Sequence, residues 1–593
     1  MSDYSSNFPQ QRPKLNLVFN SGSDKLDSRL SYSRSSSGTA FSAERHLSIL
    51  NLLTNSEDFT AWSRASYVSV SSNAAASPNG TTTADKVTVS STSNYPWVYQ
   101  ATGVTSGASD TVIFSVYLKM DGWRYVLLSP SNQGGEGVWF DLQSGTVGTE
   151  DAGSTGTITA IGSSGWYRCS VERTGSMTVQ ALVSLVDADN SQTGTAGGAN
   201  GVLVWGGQLT DQFSGVTSYN ATTTQISREF APTLKSYSSD QPRFEYDPAA
   251  DGQSAAGSPR GLLIESQSSN LIANSNDFSN GSIIDNLNIE AAAGIAPNGT
   301  LSASLLRATG STSHRIRKTV NVTSGKTYSA SVYVKASGYN YLFLSSGNTS
   351  IWAARAYFDL SNGTVGTVGF GTASIEDVGN GYFRCSITGS AASSSSLYLQ
   401  LNVADADGST SFTSNDYGGL LAFGLQFEEG AASSLITTSG AAASRASDSC
   451  SADLSNVGYT GGSVSVIAEA NMPSDNVGSA VELSDGTSQN RASMNCRTDG
   501  SQALTVVNAG GTQAYIGNTT LRDGKRGMRI DNNNFGYVEN GGTVITDTAG
   551  VVPVTDTLEL GRAYNGNELN GYLKRVSLYS VALSDTELQA LTS

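Results

Sequence analysis

Two aspartate pairs are the residues of this 593-residue chain best spaced for chemistry, Asp187-Ala-Asp189 and Asp405-Ala-Asp407. Paired carboxylates can act as acid and nucleophile in glycoside hydrolysis. Residues two apart on a strand, however, lie only about 7 Å along it on one face. The same pairs could ligate a hard cation such as Ca²⁺ with backbone carbonyls, or be solvated loop residues after the strand Leu182-Val-Ser-Leu-Val186. Aromatic side chains form the second set. Sugar rings have apolar C–H faces that stack on exposed Trp or Tyr while polar neighbours bond the hydroxyls. Trp97 and Tyr99 lie in Asn94-Tyr-Pro-Trp-Val-Tyr99, and Trp123 and Tyr125 match Tyr339 and Tyr341 further along. Period two predicts Trp123 and Tyr125 on one face, with core packing as the competing role. Trp166, Tyr382, Trp139 and Tyr357 read as core, because they flank the strands that hold Cys169 and Phe140.

Other chemistries are poorly supplied. His46 and His314 are the only histidines, and they do not match in position. That argues against a histidine general base, a Ser-His-Asp triad or a histidine metal site. Gly325-Lys-Thr327 has the ending of a phosphate loop, but the required upstream glycine falls on Val320. No catalytic residue is assigned, and no cofactor is expected beyond a possible Ca²⁺.

The elements that must position these residues occur twice. Asn51-Leu-Leu-Thr-Asn-Ser-Glu-Asp-Phe59 returns as Asn270-Leu-Ile-Ala-Asn-Ser-Asn-Asp-Phe278. Ser115-Val-Tyr-Leu-Lys119 returns as Ser331-Val-Tyr-Val-Lys335, and Gly165-Trp-Tyr-Arg-Cys-Ser170 as Gly381-Tyr-Phe-Arg-Cys-Ser386. The offset drifts by only a few residues, so one domain is duplicated with short loop indels. Short Val/Ile/Tyr/Phe runs alternate with polar residues and stop at Gly, Asn-Gly or Ser-Gly. The reading is all-β, with tandem β-sandwich (jelly-roll) domains and a short terminal helix. Ser584 three residues before Glu587 forms a capping box for that helix.

Composition narrows the partners. A net charge of −16, pI near 4.6 and no Lys/Arg cluster disfavour nucleic acid and anionic membrane. No apolar run approaches a membrane span and no Sec signal is visible. Four cysteines in this length are not a disulfide framework; Cys169 and Cys385 read as buried, and a Cys450–Cys496 bridge is disfavoured. The expectation is synthesis in a reducing cytosol.

The chain divides into an N-terminal segment (1–46), a first sandwich (47–228), a connector (229–269), a second sandwich (270–448) and a distinct third unit (449–593). Leu558–Gly561, Gly571–Tyr579 and Ala582-Leu-Ser-Asp-Thr-Glu587 in the third unit resemble the C-terminal signature of concanavalin A-like, laminin-G-like jelly rolls. The duplicated units resemble carbohydrate-binding-module-like sandwiches of tailed-phage virion proteins. Their shared signature includes Tyr117-Leu-Lys119, Phe140-Asp-Leu142, Trp166-Tyr-Arg-Cys169 and Gly207-Gln-Leu209. Pro242-Arg-Phe-Glu-Tyr-Asp-Pro248 and Gly261-Leu-Leu-Ile-Glu265 resemble the segment preceding such modules in phage tail and appendage proteins.

The resemblance implies a non-enzymatic virion protein (a tail fibre, spike or appendage) made in the host cytoplasm and exposed on the particle. Its sandwiches would bind host-surface polysaccharide through Trp97, Tyr99, Trp123, Tyr125, Tyr339 and Tyr341. Homo-oligomerisation is expected for avidity, as a trimer on the resemblance to fibres. The alternatives are a decoration protein of capsid, neck or tail, and a polysaccharide-degrading enzyme. The third unit lacks a Glu-X-Asp-X-X-Glu motif, and Glu469 and Glu482 stand isolated in the sequence. Pro9 and Pro13 precede the alternating Asn16-Leu-Val-Phe-Asn20. This segment is expected to dock on other virion proteins or a neighbouring subunit, with Leu17 and Phe19 filling pockets. Deleting 1–46 would then leave the sandwiches thermally unchanged.

Overall fold

The computed structural model describes residues 12–22, 24–132, 136–211, 216–217, 219–224, 227–247, 257–472, 477–497, 503–517 and 521–593, without the side chains of 45–50, 227–232, 477 and 496–497. Pro9, Pro248 and the side chains of His46 and Cys496 lie outside that description. The fold is all-β with antiparallel sheets, and its one α-helix among the described residues is Asp585–Thr592. Ser584 caps that helix through the expected reciprocal pair with Glu587. No helix among the described residues is long and apolar enough to cross a membrane.

Each repeat folds as a sandwich of two facing sheets. In the first copy one sheet runs through Thr146–Glu150, Val138–Asp141, Tyr125–Ser131, Met177–Val186, Trp97–Ser106 and Ser63–Arg64. The other runs through Ser154–Ile161, Trp166–Thr174, Thr111–Asp121, Gly201–Thr210, Ala84–Val89 and Val68–Ala75. Alternate residues from both, such as Val98, Phe114, Val126, Phe140, Cys169 and Val183, meet in one core. The second copy repeats this with Ile316, Val332, Leu342, Phe358, Cys385 and Leu401. Cys169, Cys385 and Cys450 are buried free thiols.

The repeated Asn-Leu-Leu/Ile motif has a structural cause. Asn51 is fully buried, its amide donating to the carbonyls of Gly207 and Asn220 (both 2.9 Å). Its oxygen accepts from the amides of Leu53 and Leu209 (both 3.1 Å). Asn270 makes the same four bonds to Leu425, Ile436, Ile272 and Phe427. One side chain thus ties the entry of each sandwich to its exit.

The third unit is discontinuous in sequence, which corrects the expected boundaries. Its first sheet runs Phe244–Tyr246, Pro259–Ile264, Gly571–Tyr579, Val464–Asn471, Asp523–Ile530, Phe535–Glu539 and Ile545–Asp547. Leu15–Val18 also pairs with Gly571–Tyr579, end to end with Pro259–Ile264 on the same edge. The second sheet begins with Leu30–Ser33 paired to Ser449–Asp453. Residues assigned to a docking segment and a connector are therefore strands of the C-terminal sandwich. Leu17 and Phe19, at 3% and 4% exposure, sit in its core with Phe244, Leu262 and Leu578. They are therefore not available to a partner protein. The alternation does bury Leu17 and Phe19 on one side, but the nearest apolar edge belongs to the same chain, where the effective concentration is highest.

The two repeats are consequently insertions. The first leaves and re-enters through a ribbon of Gly38–Asn51 against Ser227–Tyr237, paired from Gly38 opposite Tyr237 to Asn51 opposite Ser227 with register shifts at Pro232/Leu234 and Ser227/Arg228. The second is held by Ser268–Asn270 against Ala443–Arg445. Where these stems meet, Arg34 and Arg243 both pair with Asp448, and Arg243 and Arg445 pair with Glu265 (2.7 and 3.0 Å). Burial pushes Glu265 up, yet Arg445 and Arg243 hold it down at about 2.

Candidate functional site

The outward face of the first copy's Trp97-bearing sheet is built by period two, since the inward residues alternate with it. Trp97 lies opposite Ser184, and Tyr99 opposite Leu182. Leu127 lies opposite Ser184 on one side and Trp139 on the other. The row Trp97–Ser184–Leu127–Trp139 therefore crosses four strands. Its far end is closed: Leu127, Trp139 and Val186 form their own buried cluster, with Tyr125 half-buried against it. Trp139 donates its indole N–H to the Ser191 carbonyl (2.7 Å), so the loop after Val186 lies over it. Trp139 is buried as expected, but outside the inter-sheet core.

The aspartate pairs pin these loops. Asp189 accepts from the Thr149 amide (2.7 Å) and hydroxyl (3.1 Å), and Asp187 from the Thr195 amide (2.9 Å) and hydroxyl (2.7 Å). Asp407 repeats the bond pattern of Asp189 on Thr367, while Asp405 is exposed. Among the described residues no group of three or more His, Cys, Asp or Glu gathers to hold a metal ion. The carboxylates of Asp187, Asp189 and Asp407 are instead engaged by threonines, a job that residues two apart can share without converging.

The open end of the row is aromatic. Trp97 is half-buried, stacked on Tyr95 at 5.2 Å and edge-on to Tyr99 at 6.3 Å. Trp123 does not join them. It packs in the inter-sheet core and donates its indole N–H to the Val186 carbonyl (2.9 Å). Gly122, at φ 88°, bridges Gly201 before the next strand starts at Tyr125, so strand periodicity does not connect Trp123 to Tyr125. Tyr339 follows Trp123, half-buried against Phe412 at 4.9 Å. Tyr341 is half-buried beside the Asp359 carboxylate (3.3 Å).

The second copy gives the equivalent face different chemistry. Arg315 and Arg317 lie opposite Asn402 and Gln400, the places of Trp97 and Tyr99 in the first copy. Asp285 accepts from both arginines (2.8 and 3.0 Å), and their hydrogen bonds hold its carboxyl below the usual range. Phe343 stacks on Tyr357 at 4.2 Å, and Arg317 lies over the exposed Tyr398 ring at 5.4 Å. Tyr357 thus sits half-exposed on this face rather than in the core. None of Arg315, Arg317, Phe343, Tyr398, Gln400 or Asn402 was singled out from sequence. Aligning Val104-Thr-Ser-Gly107 with Val322-Thr-Ser-Gly325 places Arg315 on Trp97 and would have found the face.

A second polar site was also missed. In the C-terminal sandwich Glu482 stands opposite both Glu559 and Ser493, although the sequence shows it isolated. Burial raises both carboxyls, with Arg562 acting against it. Glu482 is fully buried and accepts from the Ser493 hydroxyl and the Tyr564 amide (2.8 Å). With Arg491, Ser493 and Tyr564 it lines a small cavity of about 90 Å³.

No protein-family model matches the chain, and no curated protein matches it. Among solved structures, the NanB sialidase from Streptococcus pneumoniae is similar over 24% of this chain and 26% of its own, at 19% identity and a TM-score of 0.21. This chain thus spans about a quarter of that sialidase. The LG1–3 region of the laminin α2 chain is similar over 83% of this chain and 96% of its own, at 9% identity and a TM-score of 0.12. Both likenesses are too remote to carry function.

Proposed function

We propose that the protein is a structural component of a tailed-phage particle, an appendage, fibre or spike, whose two inserted sandwiches bind host-surface glycan. The observation that carries the binding reading is one framework with two surfaces. Positions in the same register hold Trp97 and Tyr99 in one copy and Arg315 and Arg317 in the other. A duplicated spacer has no need to vary its outward face in this way, whereas two sites for different parts of a saccharide do. Tyr95, Trp97 and Tyr99 would stack on sugar rings; Arg315, Arg317, Gln400 and Asn402 would bond hydroxyl or acidic groups. The particle setting rests on the sequence resemblance alone, and with Leu17 and Phe19 buried internally the attachment surface must lie elsewhere on the chain.

The test is a glycan array on host-surface polysaccharides with the intact protein, Trp97→Ala/Tyr99→Ala and Arg315→Ala/Arg317→Ala. Each double variant should lose a different subset of ligands while melting normally. Binding by neither copy to any surface that the particle adsorbs would leave decoration as the better reading. Mass photometry checks the homo-oligomer, for which a trimer is expected.

A further inference from the structure

The two copies touch, and a cavity of about 100 Å³ lies between them. The first copy contributes Tyr117, Arg168 and Tyr219, and the second contributes Glu290, Arg307 and Tyr417. Tyr417 reaches across to pack against Tyr117 and Trp205, each at 5.5 Å. Thr157 and Thr159 line the mouth from an exposed strand.

The charges lining the cavity do not balance, although Asp416 stands at the same junction against Gly162. The charged side chains lining the cavity are two arginines and one glutamate. Glu290 pairs with Arg307, which is only 6% exposed. The guanidinium of Arg168 donates to the Ser115 hydroxyl (3.0 Å) and the Thr217 carbonyl (2.7 Å), both neutral. The Nε of each arginine is buried without a hydrogen-bond partner, as is that of Arg384 in the second copy. Burial and the neighbouring charge of Arg168 lower the Arg307 pKa, with Tyr117 and Asp416 acting in the opposite sense.

The repeat supplies an internal control. Arg384 is the counterpart of Arg168, placed over Tyr333 as Arg168 is over Tyr117. It likewise donates to a serine hydroxyl, Ser331, and to the Ser433 carbonyl. Near Arg384, however, stands the carboxylate of Glu428, which favours its charged form. Aligning Gly206-Gly-Gln-Leu-Thr210 with Gly424-Leu-Gln-Phe-Glu428 puts Thr210 where the second copy has Glu428. The first copy has the arginine but a threonine in the place of that carboxylate. Arg168 is half-buried and its hydrogen-bond partners are neutral, so an external carboxylate would complete it bidentately.

We propose that this cavity is a second, separate binding site, which takes the carboxylate of an acidic sugar between Arg168 and Arg307. The volume admits the acid group and the atoms next to it. The rest of the sugar would lie outward over Thr157 and Thr159, with the tyrosine rings as apolar walls. Because residues of both copies hold the ligand, binding also fastens one insertion to the other.

The test is calorimetric titration with glucuronate, glucose and inorganic sulfate of the full chain carrying Trp97→Ala, Tyr99→Ala, Arg315→Ala and Arg317→Ala, in which the sheet-face sites are removed. Glucuronate should bind, and Arg168→Gln should weaken it at least tenfold. Thr159→Trp, on the exposed mouth strand, should block it without changing the melting temperature. Glucose should not compete. Glucuronate binding in that background separates this site from the sheet faces. Equal binding of glucose would overturn the proposal. So would sulfate binding as tightly as glucuronate with the same response to Arg168→Gln, which would mark a site for bare anions. Glucuronate binding unmoved by both Arg168→Gln and Thr159→Trp, or no glucuronate binding at all, would also overturn it.

Discussion

Single residues carry several of the decisive interactions. Glu245 points away from the core that holds its neighbours Phe244 and Tyr246, towards Arg260, Glu376, Glu265 and Arg243. Burial raises its carboxyl from 4.5 to about 8, with Arg260 pulling the other way and Glu376 adding to the rise. Between those values the unfolded chain has released a proton that the folded chain keeps, so rising pH penalises folding across that window. Below it there is no penalty, and above about 8 it is constant. Glu245→Gln should therefore raise the melting temperature at pH 8, by an amount on the order of 4 kcal/mol of stability, and change little near pH 4.5. Thermal melts of both proteins across that range check the sign. A gain that grows towards acid would be inconsistent with this assignment. At Asn270, replacement by Ala leaves four main-chain groups unpaired in a buried site. The expected cost is at least about 1–3 kcal/mol, the penalty for a single such group, read as a loss of protection from hydrogen exchange at Leu425 and Ile436.

At the scale of elements, short strands far apart in sequence complete one sheet. Leu15–Val18 alternates buried and exposed, so its two faces should respond differently to truncation. Leu17→Ala should destabilise the C-terminal sandwich by about 2–5 kcal/mol. Val18→Ala, at a position 42% exposed, should stay within about 0.5 kcal/mol. Chemical denaturation read from the C-terminal unit distinguishes them. Deleting residues 1–33 should lower the melting temperature of that unit and leave the two inserted sandwiches folded, because neither has a strand from this segment. Equal melting of the truncated and intact chains would mean that these strands do not contribute.

The whole molecule is one sandwich carrying two others on paired stems. Because Asn51 and Ser227 are opposed, the first copy can be cut out there and the ends joined by a short Gly-Ser turn. The remaining chain should fold with the C-terminal transition within a few degrees of the parent, and scanning calorimetry should show one transition fewer. The stem cluster of Arg34, Arg243, Arg445, Glu265 and Asp448 sets the opposite limit. Asp448→Ala strips Arg34 and Arg243 of a carboxylate in a fully buried site and should cost about 3–5 kcal/mol. The cluster joins the stems of both insertions, so that loss should broaden or split the unfolding transition.

Local pattern in the sequence determined what local physics controls. Period-two alternation and Gly or Asn punctuation marked the strands, and Ser584 with Glu587 marked the terminal helix. Two matching series of motifs marked the duplicated sandwich. Alternation also identified Leu17 and Phe19 as residues that must bury one side. The identity of the covering edge was not legible, because Leu15–Val18 pairs with residues near the other end of the chain, and strand pairing at that distance leaves no periodic trace. The same reason hid the partnership of Glu482 with Glu559 and the meeting of Arg168 with Arg307. Trp123 takes the core role that competes with glycan binding, because a positive-φ glycine, Gly122, breaks the strand before it and the next strand begins only at Tyr125. Which residues face solvent, which strands belong to which sandwich and where two copies enclose a cavity depend on contacts between distant segments, and tertiary packing alone decides those.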